Sequence, residues 1–203
     1  MAIDCNKLSR GVEGFDCKNP LIPGVKPKAV LINIEDVDID ETELSDGIIT
    51  KLILKSGKIG YSAETLEDAI STNVAFAKGT YYSGWDQNFV LRIFDNSPKV
   101  KKFINELSRS RVIAVVENKY VKYNLAGSDE VKGETVFEVF GFFTGLKLNE
   151  ATRDSTDADT KGGYVITLGC DDNAKEPMLP ITLFYDGGLS ATQTAFESLF
   201  EQP

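Results

Sequence analysis

Histidine is missing altogether from this chain of 203 residues, and cysteine occurs only as Cys5, Cys17 and Cys170. Histidine has the unperturbed side-chain pKa nearest neutrality and is the commonest metal ligand. Without it there is no Ser–His or Cys–His nucleophile pair and no His-bearing zinc site. Carboxylates and lysines remain, so catalysis is disfavoured but not excluded, and no enzyme activity, cofactor or metal is expected. An odd number of cysteines, with no CxxC spacing, argues against a closed disulfide framework and points to reduced, structural thiols. No apolar run approaches the roughly 18 residues of a membrane span, so none is expected. The N-terminal MAIDCNKLSRGVEGFDCKNP lacks a basic segment followed by an apolar one, so synthesis and folding in a cytoplasm are expected. Positive charge is also scarce: 22 Lys and Arg stand against 31 Asp and Glu, a net −9. That is the wrong sign for adhesion to a nucleic-acid backbone, though it suits a channel that must pass DNA without gripping it.

What is present alternates like a β-sheet. Residues 1–27 carry Gly11, Gly14, Pro20, Pro23, Gly24 and Pro27 and read as an irregular arm ahead of a β-rich body over 28–203. VLINI at 30–34 places Val30, Ile32 and Ile34 on one face. IITKLILK at 48–55 places Ile48, Leu52 and Leu54 inward and Lys51 and Lys55 outward. SAETLEDAIS fits a short helix capped by Ser62, with Leu66, Ala69 and Ile70 as its apolar side. NVAF and QNFVLRIFD (87–95) are strand signals. The clearest helix follows: Ser97 caps it, Pro98 sits in the first turn, and Val100, Phe103, Ile104 and Leu107 form one stripe. RVIAVVEN (111–118), KYVKYN (119–124), TVFEVFGFFTGLKL (135–148), GYVITLGC and LPITLFY predict further strands, with AGSDEVKGE as a hairpin-type loop. NEATRDSTDADTKGG (149–163) predicts a long polar loop, and SATQTAFESLF (190–200) a C-terminal helix with Phe196, Leu199 and Phe200 on one side. With no repeat and no linker, the pattern predicts one mainly-β or α+β domain over 1–203. The expected body is an antiparallel sandwich or barrel with one central and one C-terminal helix.

The segment 135–148 is apolar on both sides if it is one strand. Val136, Phe140, Phe142, Leu146 and Leu148 lie on one face, and Phe137, Val139 and Phe143 on the other. A sheet with one wet face would not be built this way. Either the strand is buried twice within its own fold, or a second subunit covers it. Val136, Phe137, Val139, Phe140, Phe142 and Phe143 are therefore the candidate subunit interface.

Other constellations are weaker. DVDID at 36–40 imitates the opening of a calcium loop, but the sixth position is Glu41 where glycine is needed, and the twelfth is Gly47 where glutamate is needed. An acidic solvated loop is the competing reading. Tyr81, Tyr82 and Trp85 in TYYSGW could stack on sugar, or Trp85 could anchor the core at a strand entry. Asp171 and Asp172 are adjacent and would point to opposite faces of a strand, a poor acid–base pair. No GxGxxG, Walker-type, GxSxG or HExxH motif is present.

WDQNFVLRIFD (85–95) leading into SPKVKKFINELS, the pair TVFEVFGFFTGLKL and GGYVITLGC, and the ending EPMLPITLFYDGGLSATQTAFESLF together carry a resemblance. With the irregular arm, the long polar loop and the acidic balance, this layout resembles the major tail tube proteins of tailed bacteriophages. The ending is similar to tail proteins of phages infecting Bacteroides-like hosts. The match covers most of the chain but is one of layout without a sharp motif, and it brings no catalytic residues. It implies a virion subunit, made in the host cytoplasm, that forms stacked hexameric rings with a closed β-barrel as inner wall. Its implied partners are itself, a tape measure and a tail terminator, while DNA passes the lumen without specific binding. Tubes of contractile injection and secretion machines share the implied fold. Asp36, Asp38, Asp40, Glu41, Glu43 and Asp46 are the candidate acidic residues facing the lumen or the ring-to-ring seam. The alternatives are a virion decoration or fibre β-domain that binds carbohydrate, and a hydrolase working with carboxylates alone.

Overall fold

In the computed structural model the described residues are Gly11, 23–78, 83–119 and 136–200. Cys5, Cys17, Tyr81, Tyr82, most of the expected arm, the expected strand beyond Lys119 and the expected hairpin loop lie outside them. The chain is mainly β with two helices, a β-rich α+β fold. β1 (Val25–Asn33) is followed by a 3-10 turn over Ile34–Asp36, β2 (Glu43–Ser45), β3 (Ile48–Lys51), β4 (Tyr61–Glu64), β5 (Ile70–Lys78) and β6 (Ser83–Ile93). Next come α1 (Pro98–Leu107), β7 (Val112–Asn118), β8 (Phe137–Phe140), β9 (Lys147–Thr152), β10 (Tyr164–Gly169), β11 (Ile181–Leu183) and α2 (Leu189–Ser198).

These strands form a seven-stranded sheet, β2-β3-β11-β8-β7-β1-β4, and a four-stranded sheet, β5-β6-β10-β9. The antiparallel expectation fails at one pair, because β11 runs parallel to β3 and makes the larger sheet mixed. Along β1 the alternation serves two cores. Ala29 and Leu31 face the four-stranded sheet, while Val30 and Ile32 face the other way. The first core lies between the sheets, where Ala114, Val116 and Phe140 meet Phe89, Leu91, Ile166 and Leu168. The second lies on the far side of the larger sheet, where Ile113, Val115, Phe137 and Val139 are covered by Phe196 of α2 and by Leu199 and Phe200 after it. Each fully buried side chain of this size contributes about 1.5–3 kcal/mol.

α1 forms as its sequence predicts. The Ser97 hydroxyl accepts from the Val100 amide at 3.4 Å, and the Asp95 carboxylate accepts from the Ser97 amide at 3.0 Å and hydroxyl at 2.6 Å. These Ser97 bonds hold the Asp95 carboxyl below its ordinary value. The helix buries Leu107 and packs Phe103 and Ile104 against the first core.

The structure corrects four local expectations. Ser62 caps no helix: residues 61–64 are β4, paired with β1 from Lys28↔Glu64 to Leu31↔Tyr61. Of the expected apolar side, Ala69 and Ile70 are buried but Leu66 is exposed, and pairing of 61–64 with β1 outweighs weak helix propensity. In 48–55 Leu52 and Leu54 pack inward and Lys51 and Lys55 are exposed as expected, but the regular strand ends at Lys51, and Ile49 is fully buried where Ile48 is half-buried. The segment 135–148 is two strands, not one, broken by a turn at Gly141 and Gly145 with φ of 71° and 75°. A Cβ on Gly141 would stand 2.6 Å from Leu146 Cγ, so glycine is required on both counts. The loop expected from residue 149 begins only after β9 ends at Thr152. Asp154 accepts from Thr156, Asp157 accepts from Asp159 and Thr160, and Arg153 Nε donates to the Gly162 carbonyl at 3.0 Å.

Candidate assembly surface

The four-stranded sheet differs in kind from its partner. Its inner rows are apolar: Ile70, Leu91 and Ile166 in register, then Thr72, Phe89 and Leu168. Its outer rows are small and polar. Ser71, Val90, Thr167 and Glu150 form one row, and Asn73, Asn88, Gly169 and Lys147 the next. The charged side chains of this face are of both signs, Asp86 and Glu150 with Arg92 and Lys147, and Asp86 and Lys147 are paired with Lys175 and Asp171 respectively.

Both edges of this sheet are open among the described residues. β5 ends the order on one side and β9 on the other. The Trp85 amide donates to the Glu176 carbonyl at 2.8 Å, and the Cys170 amide to the Gln87 carbonyl at 3.3 Å. The odd residues of β6 therefore turn their backbone groups towards β10, and the even ones towards β5. By the same alternation Ser71, Asn73, Ala75 and Ala77 bond to β6, while Thr72, Val74 and Phe76 direct N–H and C=O groups outward. A nine-residue edge of this kind invites another strand.

Buried polar groups fix one end of the sheet against the larger one. Gln87 is 1% exposed; its side chain accepts from the Gly141 amide and donates to the Met178 carbonyl, both at 2.9 Å. Glu176, also 1% exposed, accepts from the Phe143 amide at 3.2 Å and from the Thr144 amide and hydroxyl, both at 2.7 Å. Asp171 accepts from Lys147 at 2.6 Å and lies 3.7 Å from Arg111, and chiefly the lysine contact holds its carboxyl below the ordinary range. Beside them burial pushes the Cys170 thiol up, so it stays protonated, a free and structural cysteine.

The residues singled out in the sequence fall in different places. Val136, Phe137, Val139, Phe140 and Phe142 are all buried by their own chain, and only Phe143 is exposed, at 42%. The two apolar sides of β8 thus face the two cores, leaving those five no surface for a second subunit. Asp36, Asp38, Asp40, Glu41, Glu43 and Asp46 lie in or beside the 3-10 turn and β2, at the edge of the seven-stranded sheet and off the smaller one. Asp36 is mostly buried and paired with Lys58 at 3.0 Å. Burial raises its carboxyl, but bonds from Asn33 and Lys58 outweigh that and hold it low. Asp38 accepts from the Glu41 amide at 3.2 Å. Among the described residues no group of three or more acidic or cysteine side chains could hold a metal ion. Trp85 belongs to neither core; it is half-buried and meets the exposed Phe76 edge-on, with centroids 5.2 Å apart. Asp171 and Asp172 engage different lysines, Lys147 and Lys175, and form no pair. No described helix is long and apolar enough to cross a membrane.

Gln87, in a strand, and Glu176, between β10 and β11, were not legible in the sequence, since a polar residue signals solvent unless its buried partner is known. The open edges were not legible either, because an edge is a property of pairing and not of composition. Comparison of the chain with protein families, with curated proteins and with solved structures finds no match.

Proposed function

We propose that this chain is the structural subunit of a phage-type tail tube, assembling with copies of itself into stacked rings through which DNA passes without specific binding. The observation that carries this reading is the four-stranded sheet with both edges open among the described residues, one mainly apolar face and one polar face that carries charges of both signs. Strand direction alternates across its four members, so β5 and β9 run opposite ways. A copy rotated about a ring axis would bring its β9 antiparallel to β5 of its neighbour and continue the ladder without a break. Repetition of such a head-to-tail contact closes a ring and removes the edges that would otherwise aggregate.

In this arrangement the polar rows become the lumen wall. Small side chains with charges of both signs neither bind phosphates one by one nor repel them strongly. The wall role passes from the acidic stretch at 36–46 to the outer face of the four-stranded sheet. The six-fold number, the place in a virion tail and the tape-measure and terminator partners rest on the resemblance of layout, and the tube of an injection machine would use the same contacts.

Negative-stain microscopy and sedimentation velocity of the purified full chain test this reading. Rings or tubes with an open lumen are expected; a monomer at all concentrations would contradict it.

A further inference from the structure

The ends of β6 differ in a way that ring formation alone leaves unexplained. When a sheet closes into a barrel its strands tilt about 35–45° from the axis, so strand ends face the rings above and below. At the Ser83 end, Phe76 is 58% exposed and packs edge-on against Trp85. The pair lies on the apolar side of the sheet, one row beyond Val74 and Gln87, and neither ring belongs to a core. At the Ile93 end an apolar groove of about 520 Å³ opens between α1 and residues 62–66. Leu66, Ile93, Phe94, Val100 and Phe103 line it, and Leu66 is 52% exposed. Its size falls in the roughly 300–1,000 Å³ range of pockets that accept compact apolar groups.

We infer that successive copies engage end to end, the Phe76–Trp85 pair of one seated in the α1 groove of the next; this rests on the tube reading. Knob and groove stand at opposite ends of one eleven-residue strand, so a copy that offers one always offers the other. Their charges also match. Exposed Lys78 flanks the aromatic pair, where Asp86 is already paired with Lys175 at 3.3 Å, and Glu64 and Asp95 edge the groove, with Lys99 the opposing charge there. The Ser97 bonds favour the charged form of the Asp95 carboxylate. The two surfaces are different, so the contact cannot be completed within a pair and propagates as a stack. Burying aromatic rings against aliphatic walls is the usual source of energy at such contacts.

Phe76→Glu and Leu66→Glu test this, because both side chains are exposed and neither change should disturb the fold, as thermal melts followed by circular dichroism will verify. Each variant is expected to form rings that do not stack, where the unaltered chain forms tubes. Rings of the two variants, preformed separately and then mixed, should pair once and stop, because Phe76→Glu retains a groove and Leu66→Glu a knob. Normal stacking by either variant, or no pairing on mixing, overturns the contact and leaves the tube reading standing. Had the groove been filled by the chain's own residues 1–22, Phe76→Glu would stack normally. An unaltered chain that never leaves the monomer overturns the tube reading and this contact with it.

Discussion

The two sheets of this molecule answer the same problem in opposite ways. The seven-stranded sheet is covered on both faces, by α2 on one side and by the smaller sheet on the other. Its strands β7 and β8 are correspondingly apolar on both sides, and every residue of β7 is buried. The four-stranded sheet is covered on one face only, and its nine-residue β5 has no strand beyond it among the described residues. Both sheets end in edge strands among the described residues, but those of the larger one, β2 and β4, have only three and four residues. The smaller one has one covered face and a nine-residue edge, the condition expected of a surface that another copy completes.

The sharpest way to break this contrast is a charge on β8 or just past it. Phe140 is 1% exposed and Phe143 is 42% exposed. Phe140→Asp buries an unpaired carboxylate and should cost about 4–5 kcal/mol or prevent folding, whereas Phe143→Asp should cost less than about 1 kcal/mol. Equal losses in denaturant titrations would show that the segment is covered on its second side after all.

Next in size is the clamp between the sheets. Glu176→Ala strands the Phe143 and Thr144 amides in a buried place and should cost about 2–4 kcal/mol in urea unfolding. Glu176→Gln, which retains one acceptor oxygen, should lose less. A smaller effect is expected at α1, where Ser97→Ala removes the cap and should cost about 1 kcal/mol.

The smallest effect tests a flaw in the better-covered sheet. Burial pushes the Glu138 carboxyl up, outweighing a bond from Asn118 at 2.8 Å that favours the charged form. A carboxyl whose folded pKa is raised takes up a proton on folding, so stability falls as pH rises from the unfolded value through the folded one. Glu138→Gln should therefore raise Tm at pH 7 and have little effect near pH 4. A loss of Tm at pH 7 would mean that the charge is needed.

Much of this was legible in the sequence. Ser97, Pro98 and the stripe from Val100 to Leu107 specify α1 by local rules, and RVIAVVEN declares β7. The doubly apolar character of 135–148 was legible too, but its division was not. Gly141 and Gly145 read as tolerated interruptions of a strand until Leu146 is found against Gly141. Ser62 failed because a weak helical spacing competes with a partner strand more than thirty residues earlier. At the assembly surface NVAF was legible as a strand, whereas Ile70 and Ser71, which begin the same strand, read as the end of a helix. Only the strand order shows that it is an edge.

The central claim is that the free edge of β5 joins copies together. Thr72 turns its amide outward and makes none of the bonds to β6, so Thr72→Pro removes an edge donor while leaving the internal ladder intact. Sedimentation velocity of the full chain, with a thermal melt as control, should find the unaltered protein in rings or tubes and Thr72→Pro monomeric with nearly unchanged Tm. Assembly of Thr72→Pro to the same extent as the unaltered chain would contradict the account.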